Sequence, residues 1–470
     1  LRQVKTQYGI VAEAAAMTGG AATGEEVRRT RWGGVADGHF APSGAFRVAQ
    51  QRDVWWLVDP DGGRFLSKGV NHVRYDADTI RGTTRMPYAE ACQRRYGDAG
   101  AWRRAAADRL QGWGFNTVGA WSDDRLSHAG AAPLARTVIA DLGASFHRHR
   151  PQQPFPDVFD AGFAGHARDQ AEQVCALHRG DPALLGYFLD NELIWSPDWR
   201  GGDDVLTLFL RLPPHSAGRR AAQALLQQHY RDIDAFNAVW RLSAGSWEQL
   251  AGRPVVPAPY ARLQPGGLDD ELERRCDDQD PHRAAFSADC DAFLALVAER
   301  YFETGAAALR AADPGHLVLG ARFGYQPKAP VIAACARHCD VISFNCYEFD
   351  PSGIIAAFAA FGRPCLITEF AFRGDDAGLP NSRGGGPRVA AQQDRARCFA
   401  DYVRAALRQP ALVGCHWFEH ADEPREGRFD GEDSNYGLVD LADRPYAPLV
   451  AAAAAVHASA EALHAGAVSG

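Results

Sequence analysis

The feature that constrains this chain most is the recurrence of short apolar runs, most of them followed by a segment of helical period. The runs are Phe65 to Val73, Phe115 to Trp121, Thr137 to Leu142, Leu184 to Asn191, Leu317 to Phe323, Val341 to Tyr347, Cys365 to Phe370 and Leu412 to Phe418. Short runs of this kind, with polar groups at their ends, read as strands buried on both faces. The helix-period segments include Trp102 to Trp113, Ala164 to His178, Phe293 to Ala312 and Val389 to Leu407, with a last one near Leu449 to Leu463. Alternating strands and helices imply a parallel sheet with right-handed crossovers, and eight repeats close an α/β fold into a (β/α)8 TIM barrel. An open doubly wound sheet is the rival. It is disfavoured because no Gly-rich phosphate loop follows the first run, and Gly384-Gly385-Gly386 follows no strand and has no P-loop lysine.

A chain of 470 residues is long for one domain, but a barrel with insertions runs beyond about 400. Residues 1–63 are expected to form an N-terminal extension ending in a short β-hairpin, since Ala45 to Phe65 holds two β-rich runs around Asp59-Pro60-Asp61-Gly62-Gly63. Residues 64–470 are the barrel. About a hundred residues separate the fourth run from its helix, so 196–283 reads as a long insertion after strand four. Strand-to-helix loops gather on the catalytic face of such a barrel, and the insertion is expected to wall or cover it. A subunit contact is its alternative role, so a homo-oligomer stays open. Within it, Ala221 to Arg231 and Ile233 to Trp240 have helical spacing, while Arg253 to Pro265 and the acidic Asp269 to Asp280 read as loop.

A net charge of −8 argues against a nucleic-acid partner, which needs concentrated Lys and Arg. No apolar run of about eighteen residues suggests a membrane span, and the first thirty residues lack the compact apolar segment of a secretory signal. The ten cysteines are scattered, and Cys346, Cys365 and Cys415 lie in buried-strand runs, as free thiols of a reducing compartment would. A cytoplasmic location is expected, although the first residue is Leu1 rather than Met. Cys335 and Cys339, with His338 between them, have a metal-like spacing, but no second pair completes four ligands and a helix face is the simpler reading. Asp430, Glu432 and Asp433 offer oxygen ligands without EF-hand spacing. No metal and no cofactor is expected.

The chemistry sits at two strand ends. Leu185-Gly186-Tyr187-Phe188-Leu189-Asp190-Asn191-Glu192 is apolar until the chain leaves the core, and Pro364-Cys365-Leu366-Ile367-Thr368-Glu369-Phe370 ends with a single carboxylate. Carboxylates at the C-terminal mouth of a barrel are costly to bury and read as catalytic. Glycosidic bond cleavage needs such a pair, one protonated toward the leaving oxygen and one ionised toward the oxocarbenium-like carbon. Aromatic rings packing on sugar faces are sought at Trp121, Trp195, Tyr347 and Trp417, and polar contacts at Asn71, His72, Arg322, Asn345 and Glu419. Arg322 or Tyr347 is expected to keep Glu369 ionised, while a more apolar setting raises the pKa of Glu192. His72 has an alternative as a structural cap, and Glu419 as a partner for an arginine. A non-catalytic sugar-binding barrel would have lost a carboxylate. A metal-dependent hydrolase would need His-rich strand ends, where only His72 and His416 qualify.

Asn191-Glu192 and Glu369 at these ends resemble the signature of the retaining glycosidases of clan A. Gly186 to Glu192 with Trp195 after it, His416-Trp417-Phe418-Glu419 with Ala421-Asp422, and Glu426 to Leu438 narrow this to a resemblance to the family 50 β-agarases, over roughly residues 45 to 450. The segment Tyr230 to Trp247 is also similar to family 42 β-galactosidases. The resemblance implies Glu192 as acid/base, Glu369 as nucleophile, Asn191 on the sugar 2-hydroxyl and Trp417 as the platform under the cleaved sugar. It implies a β-linked galactoside or an agar-type oligosaccharide or polysaccharide as substrate, with a glucoside or mannoside as the alternative. The chain departs from the agarases in having no room before residue 45 for a carbohydrate-binding β-sandwich, which favours a soluble oligosaccharide over agar. It also lacks a match to the zinc-binding cysteines of many family 42 enzymes. The long insertion suggests a closed, exo-acting pocket.

Overall fold

The computed structural model describes residues 27–148, 155–200, 203–262 and 268–467. The first 26 residues of the expected N-terminal extension, and Leu263, Gln264 and Pro265 of the expected insertion loop, lie outside the described residues. The chain opens with an antiparallel meander of β1 (Arg47–Gln51), β2 (Val54–Val58) and β3 (Arg64–Phe65). The expected turn at Asp59 to Gly63 joins β2 to β3, where the Asp59 carboxylate accepts from the amides of Asp61 and Gly63 at 3.0 and 2.9 Å. A second turn, at Arg52-Asp53, joins β1 to β2. Both residues are left-handed, with φ of 51° and 64°, the backbone that matches the twist of a two-residue hairpin.

Each of the eight apolar runs contributes one barrel strand. They are β4 (Ser67–Val70), β5 (Thr117–Val118), β6 (Ala135–Ile139), β7 (Leu184–Phe188), β8 (Leu317–Val318), β9 (Ile342–Asn345), β10 (Cys365–Phe370) and, after the small pair β11 (Arg373–Gly374) and β12 (Arg388–Val389), β13 (Leu412–Trp417). All neighbours are parallel, in the order β8-β7-β6-β5-β4-β13-β10-β9. The ring closes where Phe323, beyond β8, bridges Phe344 of β9: the Phe323 amide donates to the Ser343 carbonyl at 3.0 Å, and the Asn345 amide to the Phe323 carbonyl at 2.8 Å.

Alternation along these strands sorts side chains between two cores. Inside the barrel, Leu185, Phe188, Leu319, Leu366 and Val413 pack with Trp32, Phe46, Leu57 and Phe65, so the N-terminal meander plugs the bottom. Outside it, Phe344 stacks on Phe358 at 4.2 Å and Phe370 on Tyr402 at 4.4 Å, joining sheet to helices. Each such ring, fully buried, is worth roughly 2–3 kcal/mol. The residues next to these outward rings, Asn345 and Glu369, are thereby turned inward.

The insertion is helical. Helices Val205–Leu210, Ala217–His229, Ile233–Trp240 and Leu268–Gln279 pack on Pro281–Ala312, a 32-residue helix about 48 Å long at 1.5 Å per residue, and Trp247–Gly252 packs on Ala217–His229. Asp289 of that helix accepts from His229, Tyr230 and Trp240 at 2.8, 2.6 and 2.9 Å, tying insertion to barrel. The stretch Asp269 to Asp280, expected as loop, is helix as far as Gln279, and Asp280 caps the next helix. Its Glu and Arg residues are good helix formers, and its buried Glu273 accepts from Arg262 at 2.6 Å and from Lys328, in the loop after β8, at 2.8 Å. Among the described residues no helix is long and apolar enough to cross a membrane.

Candidate active site

Beyond β7 the chain leaves the barrel through Leu189, Asp190, Asn191 and Glu192. Asp190 is fully buried and accepts from the amides of Gly143 and Ala144 at 2.7 and 2.8 Å, at the start of the helix Leu142–Arg148, and from the Tyr301 hydroxyl. Burial pushes its carboxyl up to about 7. With Asp190 pinned, Glu192 takes a left-handed φ of 51°. Its Oε1 accepts from Asn345 Nδ2 at 2.7 Å, and Asn345 Oδ1 accepts from the Thr368 hydroxyl at 2.7 Å, which fixes the amide's orientation. Asn191 Oδ1 accepts from Arg322 Nε at 2.8 Å.

Glu369, inward on β10, is buried at 5% exposure. Its Oε1 is ion-paired with Arg322 Nη2 and its Oε2 accepts from the Tyr347 hydroxyl at 2.7 Å. The Arg322 guanidinium is held between the rings of Trp121, at 4.8 Å, and Phe188, at 5.2 Å. The two carboxylates therefore stand in different fields. Glu369 has a full positive charge on one oxygen and a phenol on the other. Glu192 has a neutral amide. Burial first, and then the charge of Glu369, raise Glu192 to about 7 against the pull of Asn345, Arg200 and Arg322.

Four residues at the mouth share the left-handed backbone that non-glycine residues avoid: His72, Trp121, Glu192 and Arg322, with φ of 52°, 59°, 51° and 45°. Glycine is required at two places nearby. A Cβ on Gly324 would stand 2.9 Å from the Glu192 carboxyl carbon and 2.9 Å from the Trp199 ring, and one on Gly386 would stand 3.0 Å from the Tyr347 ring.

Of the residues expected at the site, Asn191, Glu192, Arg322, Asn345, Tyr347, Glu369 and the half-exposed Trp121 come together. Asn71 does not join them. It is fully buried, its Nδ2 donates to the carbonyls of Thr368 and Trp417 at 2.8 and 3.3 Å, and its Oδ1 accepts from the Ala120 amide at 2.9 Å. Those bonds spend the whole amide on bracing strand ends. Glu419 is buried against His72, with Oε2 2.6 Å from Nδ1, and Arg428 stands 3.8 Å from its other oxygen, so it serves an ion-pair network rather than a sugar hydroxyl. Burial disfavours the charged form of His72, but Glu419 more than offsets this and raises it. Trp195 stacks on Phe302 at 5.6 Å, edge-on to Phe155 and Tyr301, in the core behind the site.

Trp417 also faces away from the site. It contacts Phe370 and Phe399 in the outer core and donates its indole N–H to the Tyr436 carbonyl at 2.9 Å. The reason is parity. His416 is inward, bonded to Ser67 at 2.8 Å and pushed down to about 3 by burial and by Arg322. The next residue must then point out and the one after it in. Phe418 is thus the strand-eight aromatic at the mouth, edge-on to Trp121 and Tyr436 at 6.4 and 5.2 Å. Polarity at His416, inside an apolar run, is the sequence signal that fixes this parity. Trp199 and Arg200 were also missed, because they lie in a loop with no periodic neighbours.

Among the described residues, His72, Asp78 and Glu419 could present metal-ligand atoms within 4.8 Å of one another. His72 and Glu419 spend those atoms on each other, and Arg428 adds a positive charge that repels a cation. Cys335 and Cys339 are buried while His338 turns away to Glu299 at 2.7 Å. Asp430 and Glu432 pair with Arg428, whereas Asp433 accepts from the amide of Ser382 at 2.7 Å, so the three do not converge.

No family model matches the chain. It is 27% identical over 495 residues to β-agarase B of Vibrio sp. (strain JT0107), covering 90% of this chain and 49% of that one. It is also 27% identical over 508 residues to β-agarase A of the same strain, covering 92% and 48%. The chain thus spans about half the length of these curated relatives. Among solved structures, an exo-β-agarase superposes with a TM-score of 0.76 at 24% identity, covering 93% of this chain and 68% of that one. An agarase superposes with a TM-score of 0.73 at 26% identity, with the same coverage. Over nine-tenths of its length, then, the chain resembles the family 50 β-agarases in sequence and has the barrel of the solved agarases.

Proposed function

We propose that the chain is a retaining glycoside hydrolase that cleaves a β-linked galactoside or agar-type oligosaccharide by double displacement. The observation that carries this reading is the unequal pair: Glu369 held by Arg322 and Tyr347, and Glu192 held by Asn345 with its carboxyl raised to about 7. One group is prepared to attack and the other to give a proton near neutral pH.

In the first step Glu192 donates its proton to the glycosidic oxygen while Glu369 attacks the anomeric carbon, giving a glycosyl ester and a free leaving sugar. In the second, Glu192 takes a proton from water as that water displaces Glu369. Arg322 neutralises Glu369 before attack and after release. By the family resemblance, Asn191 meets the sugar 2-hydroxyl, and its bond to Arg322 orients it. The galactose preference rests on the β-agarase relatives.

The test is hydrolysis of aryl β- and α-glycosides and agar oligosaccharides, with the product anomer followed by NMR, in the wild type, Glu192→Ala and Glu369→Ala. β-Galactoside cleavage with retention, lost in both variants, is expected. Inversion, or turnover that persists in either variant, would remove the assigned pair, and preference for a glucoside or mannoside would replace the substrate. A single product size from a long oligosaccharide is expected of an exo-acting pocket, and a ladder of sizes would sink that part.

A further inference from the structure

Among the described residues, the exposed Trp and Phe side chains are Trp121, Trp199, Phe349 and Phe429, and each lies in a loop that follows a barrel strand. All four are therefore at the mouth. Trp199 differs from the other three in standing beside the proton donor: the space over Gly324 is bounded by the Glu192 carboxyl on one side and the Trp199 ring on the other. The residues around Glu369 do not include it.

The ring is held from one side. The Arg200 guanidinium lies 4.5 Å from its centroid. That guanidinium is fixed by Asp198, whose Oδ2 accepts from Nε at 3.0 Å and from Nη2 at 2.5 Å, and by the Glu192 backbone carbonyl, which accepts from Nη1 at 3.0 Å. Tyr325 meets the indole edge-on at 6.2 Å, and the Tyr325 hydroxyl is anchored by Ser196. Even so, 59% of Trp199 is open to solvent. A large apolar ring pinned on one face and free on the other is a stacking platform whose ordering cost has already been met.

We propose that Trp199, backed by Arg200, binds the sugar on the leaving-group side of the scissile bond. The inference rests on Glu192 as the proton donor. The oxygen it protonates joins the cleaved sugar to the leaving sugar, so an exposed ring next to Glu192 and apart from Glu369 faces the second of these. The same platform holds an incoming sugar after the first step. That sugar's hydroxyl attacks the anomeric carbon, its proton passes to Glu192, and the bond to Glu369 breaks to return the carboxylate, so the product is a new glycoside instead of a free sugar.

The test compares an agar-derived tetrasaccharide with β-galactosyl fluoride, whose leaving group has no face to stack, in the wild type, Glu192→Ala, Trp199→Ala and Trp199→Phe. Fluoride departure needs no proton donor, so Glu192→Ala should lose the tetrasaccharide far more than the fluoride; equal losses would overturn the reading of Glu192 itself. With that reading intact, Trp199→Ala should lower the ratio of tetrasaccharide to fluoride kcat/KM by about 10-fold, the scale of losing one apolar ring face. Trp199→Phe should recover most of that ratio. With galactose supplied as acceptor, the yield of transfer product relative to hydrolysis should fall by a similar factor in Trp199→Ala. An equal fall on both substrates, with the transfer ratio unmoved, would overturn the platform.

Discussion

Replacing Glu192 by Gln should make the protein more stable at alkaline pH and leave it unaltered in acid. The side chain is 21% exposed, and its carboxyl titrates near 7 in the fold against about 4.3 in an unfolded chain. The sign follows from linkage: a carboxyl raised by folding binds its proton more tightly in the native state. The native state therefore carries no penalty below about 4.3 and loses stability as pH climbs from there through about 7. Above that range the penalty is on the order of 4 kcal/mol, at about 1.4 kcal/mol for each tenfold change in proton affinity. Gln cannot ionise, and its carbonyl can still accept from Asn345, so the variant should escape the penalty while keeping the bond. Urea unfolding of both proteins at pH 4.5 and pH 8 measures the difference. Midpoints that differ by less than about 1 kcal/mol at pH 4.5 and a gain of on the order of 4 kcal/mol at pH 8 are expected. Asp190, also raised to about 7, is present in both proteins and cancels. A gap of the same size at both pH values, or a loss at pH 8, would refute the reasoning and return Glu192 to an ordinary solvated carboxylate.

Asn345→Ala removes the donor that favours charged Glu192, so the alkaline limb of kcat/KM should move above about 7; a limb that stays put would mean that Glu192 does not set it. Arg322→Met leaves Glu369 buried without its cation, at a cost of about 3–5 kcal/mol at neutral pH, which urea unfolding at pH 7 measures; an unchanged midpoint would contradict the pairing. Trp417→Ala should cost about 3–5 kcal/mol of stability as a buried-ring truncation, while Phe418→Ala should mainly raise KM; the reverse result would restore Trp417 as the platform. Exhaustive chelation should leave activity at its starting value, since the two-carboxylate chemistry uses no ion, and a loss reversed by a divalent cation would contradict this.

The eight strands were legible because a strand buried on both faces has no polar position to disguise it, and Glu192 and Glu369 stood out for the same reason. Parity was harder to read. Trp417 and Phe418 are neighbours of similar chemistry, with only the polarity of His416 to tell them apart in the sequence, and contact with Phe370 and Phe399 on one side and Trp121 on the other shows which faces the mouth. Trp195 and Trp199 pose the same difficulty without a strand to supply alternation: four residues apart in one loop, the first is stacked in the core and the second lies open. A polar residue at a strand end can satisfy either a ligand or its neighbours: strand-end carbonyls take the bonds of Asn71, and Glu419 takes the second of its two expected roles, beside Arg428 and bonded to His72. The acidic helix Leu268–Gln279 read as loop because its run of carboxylates hides the one that is buried, Glu273, whose partners Arg262 and Lys328 lie outside the helix.

The left-handed backbone of His72, Trp121, Glu192 and Arg322 has a consequence for variation. Each carries a conformational penalty of about 1–2 kcal/mol that glycine would remove. At His72 and Arg322 the buried ion pairs with Glu419 and Glu369 outweigh that relief, so selection for heat tolerance alone would pull only Trp121 and Glu192 toward glycine or asparagine, while selection for growth on the substrate would hold them. Two fitness maps of the same mutant library, one scored for abundance after heating and one for turnover, should therefore disagree most sharply at these two codons.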